Sequence, residues 1–151
     1  WFCGCAMKRL ALLLLLPFMI TPSLAETINW PETFRGIAAG EKVWLSKVPD
    51  LAAVADVQQA IHLEDALSAA LTTNTPGALD ALKIIDAGKW PHMIGTDIVC
   101  GVPVEKSPAV VEDFYQQTRL ALLRSDKGAS CLWFLEATYE EWKAEKTHQL
   151  N

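Results

Sequence analysis

Histidine is scarce in this chain, three in 151 residues, and His62, His92 and His148 show no H-E-x-x-H or comparable spacing for zinc. Cysteine is nearly as rare: of four, only Cys100 and Cys131 lie beyond the first few residues. With no C-x-x-C between them and no histidine beside them, they cannot complete a tetrahedral metal site. We therefore expect no metal, and no cofactor motif takes its place. Gly36-Ile-Ala-Ala-Gly40-Glu-Lys42 lacks the spacing of a phosphate-binding loop and any strand before it. A G-x-S-x-G nucleophile elbow is missing as well, so no catalytic residue is assigned. Basic side chains are outnumbered by acidic ones, 13 to 18. Phosphate recognition needs clustered Lys and Arg, so nucleic acid is not an expected partner.

What the chain does have begins with one apolar run. From Met7 a short basic stretch, Lys8-Arg9, is followed by apolar residues from Leu10 to Ile20, then Ser23-Leu24-Ala25 with small residues three and one before a cleavable bond. That order is a secretory signal peptide over residues 7–25, with residues 1–6 read as upstream or mis-started sequence. The run falls short of the ~20 residues a spanning helix needs, and Pro17 and Pro22 interrupt it. Glu26 occupies the position a lipid-modified cysteine would take. The expected mature product, residues 26–151, is one periplasmic or secreted domain with no membrane attachment. Loss of Lys8 and Arg9 takes the formal charge from −5 to −7, which favours solubility.

Export sends Cys100 and Cys131 to an oxidising compartment, where an even pair is expected to bond; two buried free thiols are the competing reading. The bond would close a 31-residue loop, for which the chain-entropy model gives about 3.7 kcal/mol.

Apolar residues recur at three- and four-residue steps along most of the mature chain, so the expected class is all-α, a compact irregular bundle of about five helices with one long loop. The first helix is expected from Pro31 to Lys47, where Gly36 and Gly40 would let a neighbouring backbone approach. The second should run from Leu51 to Leu71 after the Pro49-Asp50 stop, bent near Gln58 to His62. Thr75 is read as the cap for a third beginning at Pro76, with Leu79, Leu82, Ile84 and Ile85 on its apolar face and Gly88 at its end. Ser107-Pro108 opens a fourth with Val111, Phe114, Tyr115, Thr118 and Leu122 on one stripe, ending near Ser125 to Gly128. The last carries Cys131, Leu135 and Trp142 and frays from Glu145. Only Asp97 to Val104 has an alternating, extended character.

The segment Gly88 to Ser107 spans 20 residues where helix connections usually take about 2 to 8. Long ordered loops generally have a job, and this one holds Trp90-Pro91-His92-Met93 and Thr96-Asp97 before the Cys100 tether. Trp90, His92 and Asp97 are the candidate binding residues. The competing reading is a cover that lays Met93, Ile94, Ile98 and Val99 over the core. Adjacent acids Glu64-Asp65, Glu112-Asp113 and Glu140-Glu141 point about 100 degrees apart on a helix and are not expected to share a site. His62 and Asp65 are read as a solvent-facing helix contact rather than a catalytic pair. Trp133, Phe134, Tyr139 and Trp142 concentrate aromatic area in the last helix, with burial favoured over display.

These features point to binding rather than catalysis, with a protein or peptide as the partner. The plan of leader, small helical domain and single disulfide is similar to secreted immunity proteins that neutralise toxins in the periplasm, which implies an inhibitor or immunity-type role. Two alternatives remain: a cell-envelope hydrolase built from dispersed carboxylates with His92, and a periplasmic chaperone or structural component.

Overall fold

The computed structural model describes residues 27–93 and 95–151. The leader, its cleavage point and Ile94 lie outside the described residues. Eight helices and no strand occur among those described. They are α1 (Trp30–Ala38), α2 (Lys42–Leu45), α3 (Val48–Val54), α4 (Val57–Thr73), α5 (Thr75–Ala87), α6 (Thr96–Val99), α7 (Pro108–Leu123) and α8 (Ala129–Gln149). The class is all-α as expected, but the count exceeds five for three physical reasons.

First, the expected Pro31–Lys47 helix breaks at Gly40, whose φ of +76° places it in the left-handed region that favours glycine. The break folds α2 back along α1, laying the Trp44 indole where Gly36 would otherwise carry a side chain. Gly36 therefore admits a ring, not a backbone. Second, the expected Leu51–Leu71 helix stops at Ala55 and restarts behind Asp56 rather than bending near Gln58. There the Asp56 carboxylate accepts from Gln59 N–H while the Gln59 side chain accepts from Asp56 N–H, a complete capping box. Third, the supposedly extended stretch Asp97 to Val104 begins as one helical turn, α6.

Other boundaries need smaller corrections. Asn74, not Thr75, caps α5, accepting from Gly77 N–H at 3.0 Å; the Thr75 hydroxyl donates back to Leu71. Asn74 also donates its amide to the Gly40 carbonyl, and Thr73 donates to Ala38, so the α1–α2 corner is stitched to the α4–α5 hairpin. Helix α8 continues through the tail expected to fray, as far as Gln149.

Helix α4 is the central strut, packing on α1, α3, α5, α6 and α7. Its buried face repeats at helical spacing through Ala60, Leu63, Leu67, Ala70 and Leu71, and its alanines let neighbours come close. From α5, Ala78, Leu82 and Ile85 are buried, whereas Ile84 is exposed on the outer side. Helices α7 and α8 close the bundle with Val111, Tyr115, Thr118 and Leu122 facing Cys131, Leu135, Tyr139 and Trp142. Tyr115 and Tyr139 stack there with ring centroids 3.6 Å apart.

Candidate functional site

The described residues between α5 and α7 form a wall held to the helices rather than an open loop. At its start, Asp86 accepts from both the backbone N–H and the hydroxyl of Thr96, at 2.9 and 2.6 Å. At its centre, Cys100 is bonded to Cys131 of α8, with both sulfurs buried in the core. Ser68 of α4 donates to the Val99 carbonyl at 2.8 Å, and Val102 N–H donates to Thr138 of α8 at 3.0 Å. Met93, Val99 and Val102 are buried beneath it. Ile98, which the competing core-cover reading packs inward, is instead 48% exposed.

This wall and two helices enclose a groove of about 420 Å³. Helix α4 contributes Glu64, Asp65 and Ser68. Asp97, Ile98 and the turn from Gly101 to Glu105 form the opposite side, and Thr138, Glu141, Trp142 and Glu145 of α8 close the end. Six carboxylates thus line one groove, and among the described residues no Lys or Arg lines it. Aliphatic surface alternates with them at Ile98, Val102, Pro103 and Val104. Two shallower hollows adjoin it and share Asp65: one of about 330 Å³ beside Phe34 and Ala38, the other of about 270 Å³ beside Ala69, Val110 and Phe114. Arg35 stands in the first, together with His62, and Lys106 in the second.

The candidate residues separate. Asp97 lies in the groove, among other acids. His92 is exposed and lines no part of it. Trp90 is half-buried, packed on the core, and donates its indole N–H to the Ile85 carbonyl at 2.8 Å. Glu64 and Asp65, adjacent on α4, both line the groove. Glu112 and Glu140 behave differently, engaged with Tyr139 and Lys143. His62 packs on Phe34 at 5.5 Å.

Both α7–α8 tyrosines donate to carboxylates, Tyr115 to Glu136 at 2.7 Å and Tyr139 to Glu112 at 2.8 Å. Burial, reinforced by the Glu136 bond, pushes the Tyr115 hydroxyl up to about 12. The Glu112 bond, reinforced by burial, raises that of Tyr139. Of the four α8 aromatics, Tyr139 and Trp142 are buried, Phe134 is partly buried, and Trp133 is 65% exposed.

Chemically the groove offers spread negative charge between aliphatic walls. Among the described residues no three His, Cys, Asp or Glu side chains converge as ligands for one metal ion. The hydroxyls of Ser68 and Thr138 are engaged in holding the wall, Thr138 also donating to the Phe134 carbonyl at 2.8 Å. Glu105 and Glu145 were not among the candidates, and Glu141 was set aside with Glu140; the i, i+4 pair Glu141/Glu145 flanking Trp142 is the local signal that could have found the two on α8. Comparison with family models, with curated proteins and with solved structures finds no match to the chain. Among the described residues no helix is long and apolar enough to cross a membrane.

Proposed function

We propose that this is an exported binding module whose groove between α4, the Asp97–Glu105 wall and α8 recognises a protein or peptide partner. An inhibitor or immunity-type role is the form of binding this plan suits best. The observation that carries the reading is the preformed wall: a disulfide and hydrogen bonds from both flanking helices hold one side of the groove. A surface ordered before binding loses little conformational entropy on association. Its volume falls within the ~300–1,000 Å³ range of ligand-binding clefts. The hydrolase alternative needs His92 beside a carboxylate in one cleft, and His92 stands outside the groove that holds Asp97.

The test is affinity capture from cell-envelope extract with the chain lacking residues 1–25, beside a Val104→Arg variant. Val104 is 58% exposed at the groove edge, so the substitution blocks the site without disturbing the core. We expect a stoichiometric partner held by the wild type and lost by the variant. Equal retention by both would move recognition elsewhere, and turnover of envelope polymer without a retained partner would favour an enzyme.

A further inference from the structure

We propose that the occupant of this groove is a peptide segment with basic side chains set between aliphatic ones. The inference rests on the binding reading above and names the partner's chemistry. Charge complementarity decides the sign: among the described residues the groove is lined by six carboxylates and no Lys or Arg, whereas Arg35 and Lys106 mark the two flanking hollows. The segment is therefore basic where it crosses the groove.

The walls decide the class of cation. A metal ion needs ligands converging on one point, and among the described residues no such group of carboxylates is present. A hydrated inorganic cation would leave the apolar walls unmatched, and a polyamine, though its methylene segments could lie along them, brings no branched side chain for the hollow beside Val110 and Phe114. Ile98 and Val104 at the groove, and Val110 in the adjoining hollow, are 48%, 58% and 48% exposed beside the acids. Lys and Arg match this mixture, because their methylene stems lie along aliphatic surface while their charged heads reach carboxylates. Leu or Val between them would fill the hollow beside Phe114.

The experiment uses three fluorescein-labelled eight-residue peptides: Lys alternating with Leu, Glu alternating with Leu, and Ser alternating with Leu. Binding is read by anisotropy near physiological salt, and its location by amide chemical shifts of Ile98 to Glu105. A groove variant carries Asp97→Asn, Glu105→Gln, Glu141→Gln and Glu145→Gln. A control variant carries Glu32→Gln, Glu41→Gln, Asp50→Asn and Asp126→Asn, changing net charge equally on surfaces away from the groove. Thermal melts confirm that both fold. We expect the Lys/Leu peptide to bind the wild type saturably and shift the wall amides. The groove variant should weaken it by more than about tenfold, and the control by less than about threefold. Equal weakening in both variants would mean unspecific attraction and overturn the proposal. If the Ser/Leu or Glu/Leu peptide binds as tightly with the same amide shifts, the basic class fails while the groove keeps its binding role. If no peptide moves those amides, the proposal is overturned and the capture experiment alone carries the binding reading.

Discussion

Trp90 shows how a side chain placed in a recognition loop can work for the fold instead. Its indole N–H reaches the Ile85 carbonyl near the end of α5, a group that also accepts from Gly88 N–H. The ring then lies against the core, so it caps α5 and covers its last turn at once. Trp90→Phe keeps most of the apolar contact and removes the bond, and should cost about 1 kcal/mol in urea melts. Trp90→Ala removes both and should cost about 2 to 3 kcal/mol. If both variants melt like the wild type, the ring has no structural duty and returns as a recognition candidate beside His92. Thr118 is the opposite case: its hydroxyl is fully buried and has no hydrogen-bond partner among the described residues, so its methyl group, not its oxygen, serves the α7 core stripe.

At the scale of elements, starts were legible where chemistry is local. Pro108 and Pro76 mark first turns because their missing N–H is one a helix start does not need. Breaks were less legible. Nothing in Arg35 to Leu45 says that Gly40 takes positive φ until Asn74, 34 residues away, is seen bonding its carbonyl. Asp56 was not read as a cap, because the Ala, Leu and Gln around it favour an unbroken helix on propensity alone. The pairing of α7 with α8 was equally hidden, since Tyr115–Glu136 and Tyr139–Glu112 join residues 21 and 27 apart. That pairing carries a pH prediction. Both hydroxyls titrate above the ordinary 10.0 in the folded protein, so folding favours the neutral forms. The resulting stability is fully present below pH about 10 and is lost as pH rises through about 12, the folded value of Tyr115. Urea melts from pH 8 to 12 should show that alkaline loss, and the Tyr115→Phe/Tyr139→Phe double variant should flatten it. An unchanged slope in the double variant would assign alkaline unfolding to other groups.

Across the whole molecule, the groove exists only because three distant stretches meet: Glu64 to Ser68, Asp97 to Glu105 and Thr138 to Glu145. None carries a motif, and each reads alone as a solvated helix face or a loop, so the acidic groove could not be read along the chain. Asp97 was accessible because it lies in a loop too long to be a simple connection. Its partners became visible only when the Cys100–Cys131 bond brought the wall onto α8. The same bond separates two roles for the wall. If it merely adds stability, reduction lowers the unfolding midpoint and leaves the native groove alone. If it also preorganises the site, reduction loosens the wall in molecules that are still folded. The geometry favours the second outcome, because residues 101–105 beyond the bond are tied to α8 chiefly by the single Val102–Thr138 hydrogen bond. We expect Cys100→Ala/Cys131→Ala to cost about 2 to 4 kcal/mol in denaturant melts. Under native conditions, amide exchange at Val102 should rise ahead of exchange in α4, whose buried leucines report global opening. Val102 exchanging in step with α4 would show that the wall opens only with the whole fold, leaving the disulfide a stabiliser without a separate part in shaping the groove.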